Sequence, residues 1–125
     1  MQILPSYLIK TEANTYRLVK ATDVVYISPY NGKSTIYLND ETSFSSKHSI
    51  ETLEGMLTEN YFVRIHKNII LNMLYAKNYL NHSSNTITLT NGEELAVQKE
   101  YRSALFSRIV KIWKPEYGKS PIENA

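Results

Sequence analysis

Four residues able to meet an anion or a base edge stand within five positions of one another. They are Arg64, His66, Lys67 and Asn68, inside the stretch YFVRIHKNIILN at residues 61–72. Lysine and arginine can neutralise a phosphate or donate to N7 and O6 of guanine, and asparagine can donate and accept at an adenine edge. The flanks are of another character. Phe62 and Ile65 are apolar before the polar knot, Ile69, Ile70 and Leu71 follow it, and Asn72 closes the run. Apolar strands on either side can anchor in a core and present the tip to a partner. The same residues also describe a solvated turn with a buried, hydrogen-bonded histidine, so residue types alone leave both uses open.

Two further segments carry groups of this kind. Tyr30-Asn31-Gly32-Lys33-Ser34 puts Lys33 and Ser34 beside an Asn-Gly turn signal. Gln98-Lys99-Glu100-Tyr101-Arg102 puts Lys99 beside a glutamate that phosphate would repel, although it can accept from a cytosine amino group. Enzyme chemistry finds little support. There is no cysteine nucleophile, Gly-rich phosphate loop or His-Glu-His spacing. His48, His66 and His82 lie far apart without the acidic surroundings of a metal site, and Asp23 and Asp40 are the only aspartates. The expectation is a non-enzyme with no catalytic residue, no metal and no cofactor. Asn81-His82-Ser83 is formally a glycosylation sequon, with no secretion signal ahead of it.

The elements that must position these groups are mostly strands. Tyr7-Leu8-Ile9 and Tyr16-Arg17-Leu18-Val19 predict a hairpin across residues 12–14. Residues 24–27 are apolar on both faces and predict a central strand. Ser34-Thr35-Ile36-Tyr37-Leu38 predicts the next, with Phe44 in a short further one. Residues 49–58 predict a helix, with Ser49 as N-cap and Ile50, Leu53 and Leu57 on one face. Gly55 inside it costs about 1 kcal/mol of propensity. Strands return at residues 61–72 and 77–81, and residues 86–90 and 94–97 predict a hairpin around Asn91-Gly92. From residue 100 the period changes. Tyr101, Leu105, Ile109 and Trp113 recur at four, predicting an amphipathic helix over 100–113 that Pro115 stops. Arg108, Lys111 and Lys114 project from its polar side, where a solvated face is the simpler use. The fold class expected is mainly β, in antiparallel sheets, with a short helix near 49–58 and a C-terminal helix near 100–113. Residues 1–114 are expected to form a single domain and 115–125 a mobile tail.

Composition narrows the class. The 125 residues are 42% hydrophobic and 21% charged, ordinary for a globular chain. No run approaches the ~18 apolar residues of a membrane span. The absence of cysteine removes disulfides and thiolate metal sites and fits a bacterial cytoplasm. Net charge is only +2, but residues 1–60 carry −2 and residues 61–125 carry +4. The basic excess therefore travels with the Lys67 knot and the C-terminal segment, which suits a polyanion.

Together these segments resemble the LytTR family, the DNA-binding output domain of many bacterial response regulators in two-component systems. That family typically reads phenylalanine, any residue, arginine, any residue, histidine, a basic or polar pair, an apolar run, then asparagine. Phe62, Arg64, His66, Lys67 and Asn72 match in order. Asp23-Val24-Val25-Tyr26-Ile27 resembles its aspartate-led strand, residues 49–57 its short helix, and residues 87–97 its terminal hairpin. The likeness covers roughly residues 5–107. It departs at Ser28, where the family usually has glutamate. It departs again at Gln98 and Glu100, where the family typically has serine and a second basic residue. The resemblance implies an elongated stack of antiparallel sheets that binds duplex DNA through loops entering successive major grooves. Its DNA-binding residues would be Lys33, Ser34, Arg64, His66, Lys67, Asn68 and Lys99. Lys67 would read a base, with Arg64 and His66 orienting the loop or touching phosphate. The expected partner is double-stranded DNA, engaged as a homodimer on paired half-sites or a heterodimer with a regulator, with no membrane and no small-molecule substrate. A different class stays open: an inhibitor or adaptor that pairs with another regulator through the C-terminal helix. A piece of a longer regulator is a third reading.

Overall fold

A computed structural model describes residues 5–81 and 84–112. Their contacts separate into two compact units. The first takes the described parts of residues 1–63 and 68–74, and the second those of 64–67 and 75–125.

In the first unit, β1 (Ser6–Lys10) and β2 (Tyr16–Lys20) pair antiparallel with Leu8 opposite Leu18. Alternation sends Ile9 and Val19 into the core and leaves Leu8 and Leu18 exposed. The larger sheet contains β3 (Val24–Tyr30), β4 (Lys33–Leu38), β5 (Ser43–Ser46), β6 (Phe62–His66) and β7 (Ile69–Asn72), in the order β5-β4-β3-β7-β6; residues 64–66 of β6 count with the second unit. The strand predicted to be central, β3, is central. Its apolar run of Val24, Val25 and Ile27 is buried. The two-residue connection Asn31-Gly32 has φ of 49° and 76°, the paired left-handed geometry that lets strands with right-handed twist join in the shortest loop.

Helix α1 (Ile50–Met56) agrees with the expectation over 49–58. The Ser49 hydroxyl accepts from the Thr52 amide at 3.2 Å, and Ile50 and Leu53 are buried. Beside it lies a cavity of about 230 Å³, lined by Tyr7, Ile9, Val24, Ile36, Leu53 and Leu57 among others.

Three polar side chains are fully enclosed in this unit, and each is bonded. Ser34 Oγ donates to the His48 carbonyl at 2.7 Å, and Ser46 Oγ to the Lys10 carbonyl at 3.2 Å. Asn72 Nδ2 donates to the Val24 carbonyl at 2.8 Å, while its Oδ1 accepts from the Leu74 amide at 2.9 Å. Asn72 thus ties the start of β3 to the exit of β7, across 48 residues of sequence.

The second unit is a three-stranded sheet of β8 (Ala76–Leu80), β9 (Thr86–Leu89) and β10 (Glu94–Ala96), ordered β10-β9-β8. Gly92, at φ 92°, and the Asn91 side chain, which accepts from the Glu93 amide, close the predicted hairpin. A 3-10 turn at Lys99–Tyr101 leads into α2 (Arg102–Phe106). Leu105 and Phe106 are buried, and Phe106 meets the Tyr79 ring edge-on at 5.0 Å. Burial raises the pKa of the Tyr79 phenol, with the Arg102 charge acting the other way.

The predicted helix over 100–113 is corrected. It stops at Phe106: the Ser107 amide still reaches the Ser103 carbonyl, but those of Arg108 and Ile109 reach back only three residues, to Leu105 and Phe106. Ser107 Oγ bonds the Ala104 carbonyl, and the β-branched Ile109, Val110 and Ile112 that follow favour a helix poorly. Trp113, Lys114 and the tail at 115–125 lie outside the described residues.

Two stability predictions follow from this packing. A Cβ added at Gly55 meets nothing within 4 Å, and its φ is not left-handed. Gly55→Ala is therefore expected to stabilise the protein by about 0.5–1 kcal/mol in urea denaturation. Asn72→Ala strands the Val24 carbonyl and the Leu74 amide. It is expected to cost about 2–3 kcal/mol in the same experiment, and a loss under about 0.5 kcal/mol would refute the brace.

Candidate nucleic-acid interface

The tip between β6 and β7 is held by side chains rather than by strand pairing alone. Arg64, on β6, turns its guanidinium along its own chain. Its Nε donates to the His66 carbonyl at 2.9 Å, and its Nη2 donates to the Lys67 carbonyl. From the other side, the Lys67 amide donates to Gln98 Oε1 at 2.8 Å. Both polar groups of the Lys67 residue's backbone are therefore satisfied by side chains. The Lys67 side chain is left at an exposed position, and His66 is half-buried.

The same unit brings in the segment after β10. The Gln98 amide donates to the Ile65 carbonyl at 2.9 Å, which docks this segment on the end of β6. The Tyr101 amide donates to the Gln98 carbonyl at 2.9 Å, closing the 3-10 turn that carries Lys99. Tyr101 is half-buried, and the Arg64 guanidinium carbon lies 5.8 Å from its ring centroid. Arg64, Lys67, Gln98, Lys99 and Tyr101 thus form one connected constellation, with Lys67, Lys99 and Glu100 exposed around it. Such an arrangement offers cations on a fixed backbone, which suits phosphate neutralisation and donation to base edges. Among the described residues no group of three or more His, Cys, Asp or Glu is arranged to hold a metal.

Comparison with known proteins speaks to the family and the fold. The sequence profile of the LytTr DNA-binding domain matches residues 14–109, most of the chain. The chain belongs to the LytTR family. LytTR domains bind DNA, and so does the domain described here in that general sense. The fold is also similar to a solved structure, the LytTr DNA-binding domain assigned to a methyl-accepting/DNA response regulator from Bacillus cereus. The two share 24% identity and a TM-score of 0.68, over 82% of this chain and 94% of that one. At that identity the likeness speaks for the fold. No curated protein sequence matches.

Within the LytTR frame, the residues singled out by sequence divide by environment. Arg64, His66, Lys67 and Lys99 are gathered in the second unit, and Asn68 follows Lys67 at an exposed position. Lys33 belongs to the first unit, where its Nζ pairs with Glu12 Oε1 at 2.8 Å; both side chains are about half exposed. Ser34 is corrected as a surface donor. It is fully buried, and its hydroxyl is used on the His48 carbonyl. Alternation along β4 turns Lys33 outward and Ser34 inward, so the two neighbours cannot share a role. Sequence reasoning named Gln98 but gave it no role. Its only signal was its departure from the serine typical of the family.

The clamp itself can be tested without DNA. Arg64→Lys keeps the charge but loses the planar fork that reaches two carbonyls. The amides of residues 66–68 are expected to exchange with solvent several-fold faster, read by NMR hydrogen exchange. Unchanged rates would show that the fork is dispensable.

Proposed function

We propose that this chain binds double-stranded DNA sequence-specifically, as a bacterial transcription regulator, with the β6–β7 tip entering a major groove. Lys67 reads a base edge, Lys99 contacts DNA from the neighbouring turn, and Lys33 adds a contact from the first unit once it leaves Glu12. Arg64 acts mainly on the tip's own carbonyls, and His66 and Asn68 flank the reading residue. Two similar half-sites, one domain on each, would suit such a module. The observation that carries this reading is the exposed Lys67 on a residue whose amide and carbonyl are both bonded from within. A cation mounted this way loses little backbone freedom on binding, so more of its interaction with DNA appears as affinity.

The basic excess of residues 61–125 supports the same reading, as does membership of a family whose domains bind DNA. A mobility-shift titration on DNA from the upstream region of its own gene, at two salt concentrations, tests it. Affinity is expected to fall steeply with salt, with a log–log slope of about −0.9 per phosphate neutralised. Lys67→Ala is expected to weaken specific binding by about 1–3 kcal/mol while leaving non-specific binding much less affected. A salt slope near zero, or an unchanged specific affinity in Lys67→Ala, contradicts the assignment.

A further inference from the structure

We infer that Gln98 is a specificity-determining positioning residue, which holds Lys67 and Lys99 at a set spacing so that they read DNA as one unit. The inference rests on the reading of the tip as the DNA contact and deepens it. Three groups of this one residue are engaged, each with a different segment. Its side-chain oxygen takes the Lys67 amide at 2.8 Å. Its own amide holds the Ile65 carbonyl at 2.9 Å, and its carbonyl takes the Tyr101 amide at 2.9 Å. The tip, the end of β6 and the turn carrying Lys99 are thereby joined through a single residue, all within the second unit. Lysine side chains have flexible four-carbon stems, so what the fold can fix is the backbone point from which each cation reaches out.

The charge count of the surface does not depend on Gln98, which is neutral. Its loss should therefore spare the phosphate contribution to binding and fall on the part that depends on geometry, the reading of base edges. Gln98→Ala keeps both main-chain bonds and releases only the Lys67 amide. Gln98→Glu keeps an acceptor for that amide and adds a negative charge near the DNA.

The test begins with a duplex selected from a random pool by the wild-type protein. Affinities for that duplex and for a scrambled one are then measured at two salt concentrations. Gln98→Ala is expected to lower the ratio of specific to non-specific affinity about tenfold, the size of one lost hydrogen bond, with an unchanged salt slope. The Lys67 amide should exchange faster with solvent in the same variant. Gln98→Glu is expected to keep the ratio and the slow exchange while binding both duplexes more weakly. That rescue separates retention of the acceptor from general loss of structure. If the wild type shows a ratio and Gln98→Ala keeps it within about twofold, this inference alone is overturned. It is overturned equally if Gln98→Glu loses the ratio as alanine does. A wild-type chain that enriches no sequence overturns the reading of the tip, and this inference with it.

Discussion

A loop that is to meet a polyanion has a problem of its own: its peptide groups need partners before the ligand arrives. At the β6–β7 tip that need is met around Lys67. Arg64 supplies the donor for its carbonyl and Gln98 the acceptor for its amide. An arginine fork fits the first task because its donors are planar and fixed in direction. A glutamine fits the second because it brings an acceptor without charge, which a carboxylate beside phosphate would not. The exposed lysine is then free of structural duty, and the candidate interface depends on that division of labour.

The arginine of the family pattern takes on a physical meaning here. A guanidinium so close to a proposed DNA surface invites assignment as a phosphate contact. Instead it lies over Tyr101 and bonds carbonyls two and three residues along its own chain. Asn72 has a comparable place at the other end of the motif. Fully buried, it spends its amide on two backbone groups that strand pairing leaves over. Both residues serve the shape of the hairpin, one at its tip and one at its base.

What could be read from the sequence was chiefly local. The Asn31-Gly32 and Asn91-Gly92 turns follow from residues that accept positive φ, and α1 from its Ser49 cap and apolar spacing. Residue types alone left the cationic tip open to a second use as a solvated turn, and the LytTR pattern around Phe62, Arg64, His66, Lys67 and Asn72 is what singled it out. The C-terminal helix was over-read. A repeat at four persists to Trp113, but periodicity does not weigh the β-branched residues and the serine that end α2 at Phe106. Ser34 was assigned together with Lys33 from the place of both after the aspartate-led strand of the family pattern, although strand alternation separates neighbours by face. Gln98 lay beyond such reasoning, since its partner is 31 residues away and only the folded chain brings them together.

The order β5-β4-β3-β7-β6 carries a consequence for how the chain is made. Strand β3 gains one neighbour almost at once, from the hairpin through Asn31-Gly32. Its other flank, where Tyr26 and Ile27 meet Leu71 and Ile70, must wait until α1 and β6 have emerged from the ribosome. During that interval the nascent sheet has an open, greasy margin able to zip onto a foreign strand. The arrival of β7, latched by Asn72, ends the exposure and commits the half-built protein to its native pairing.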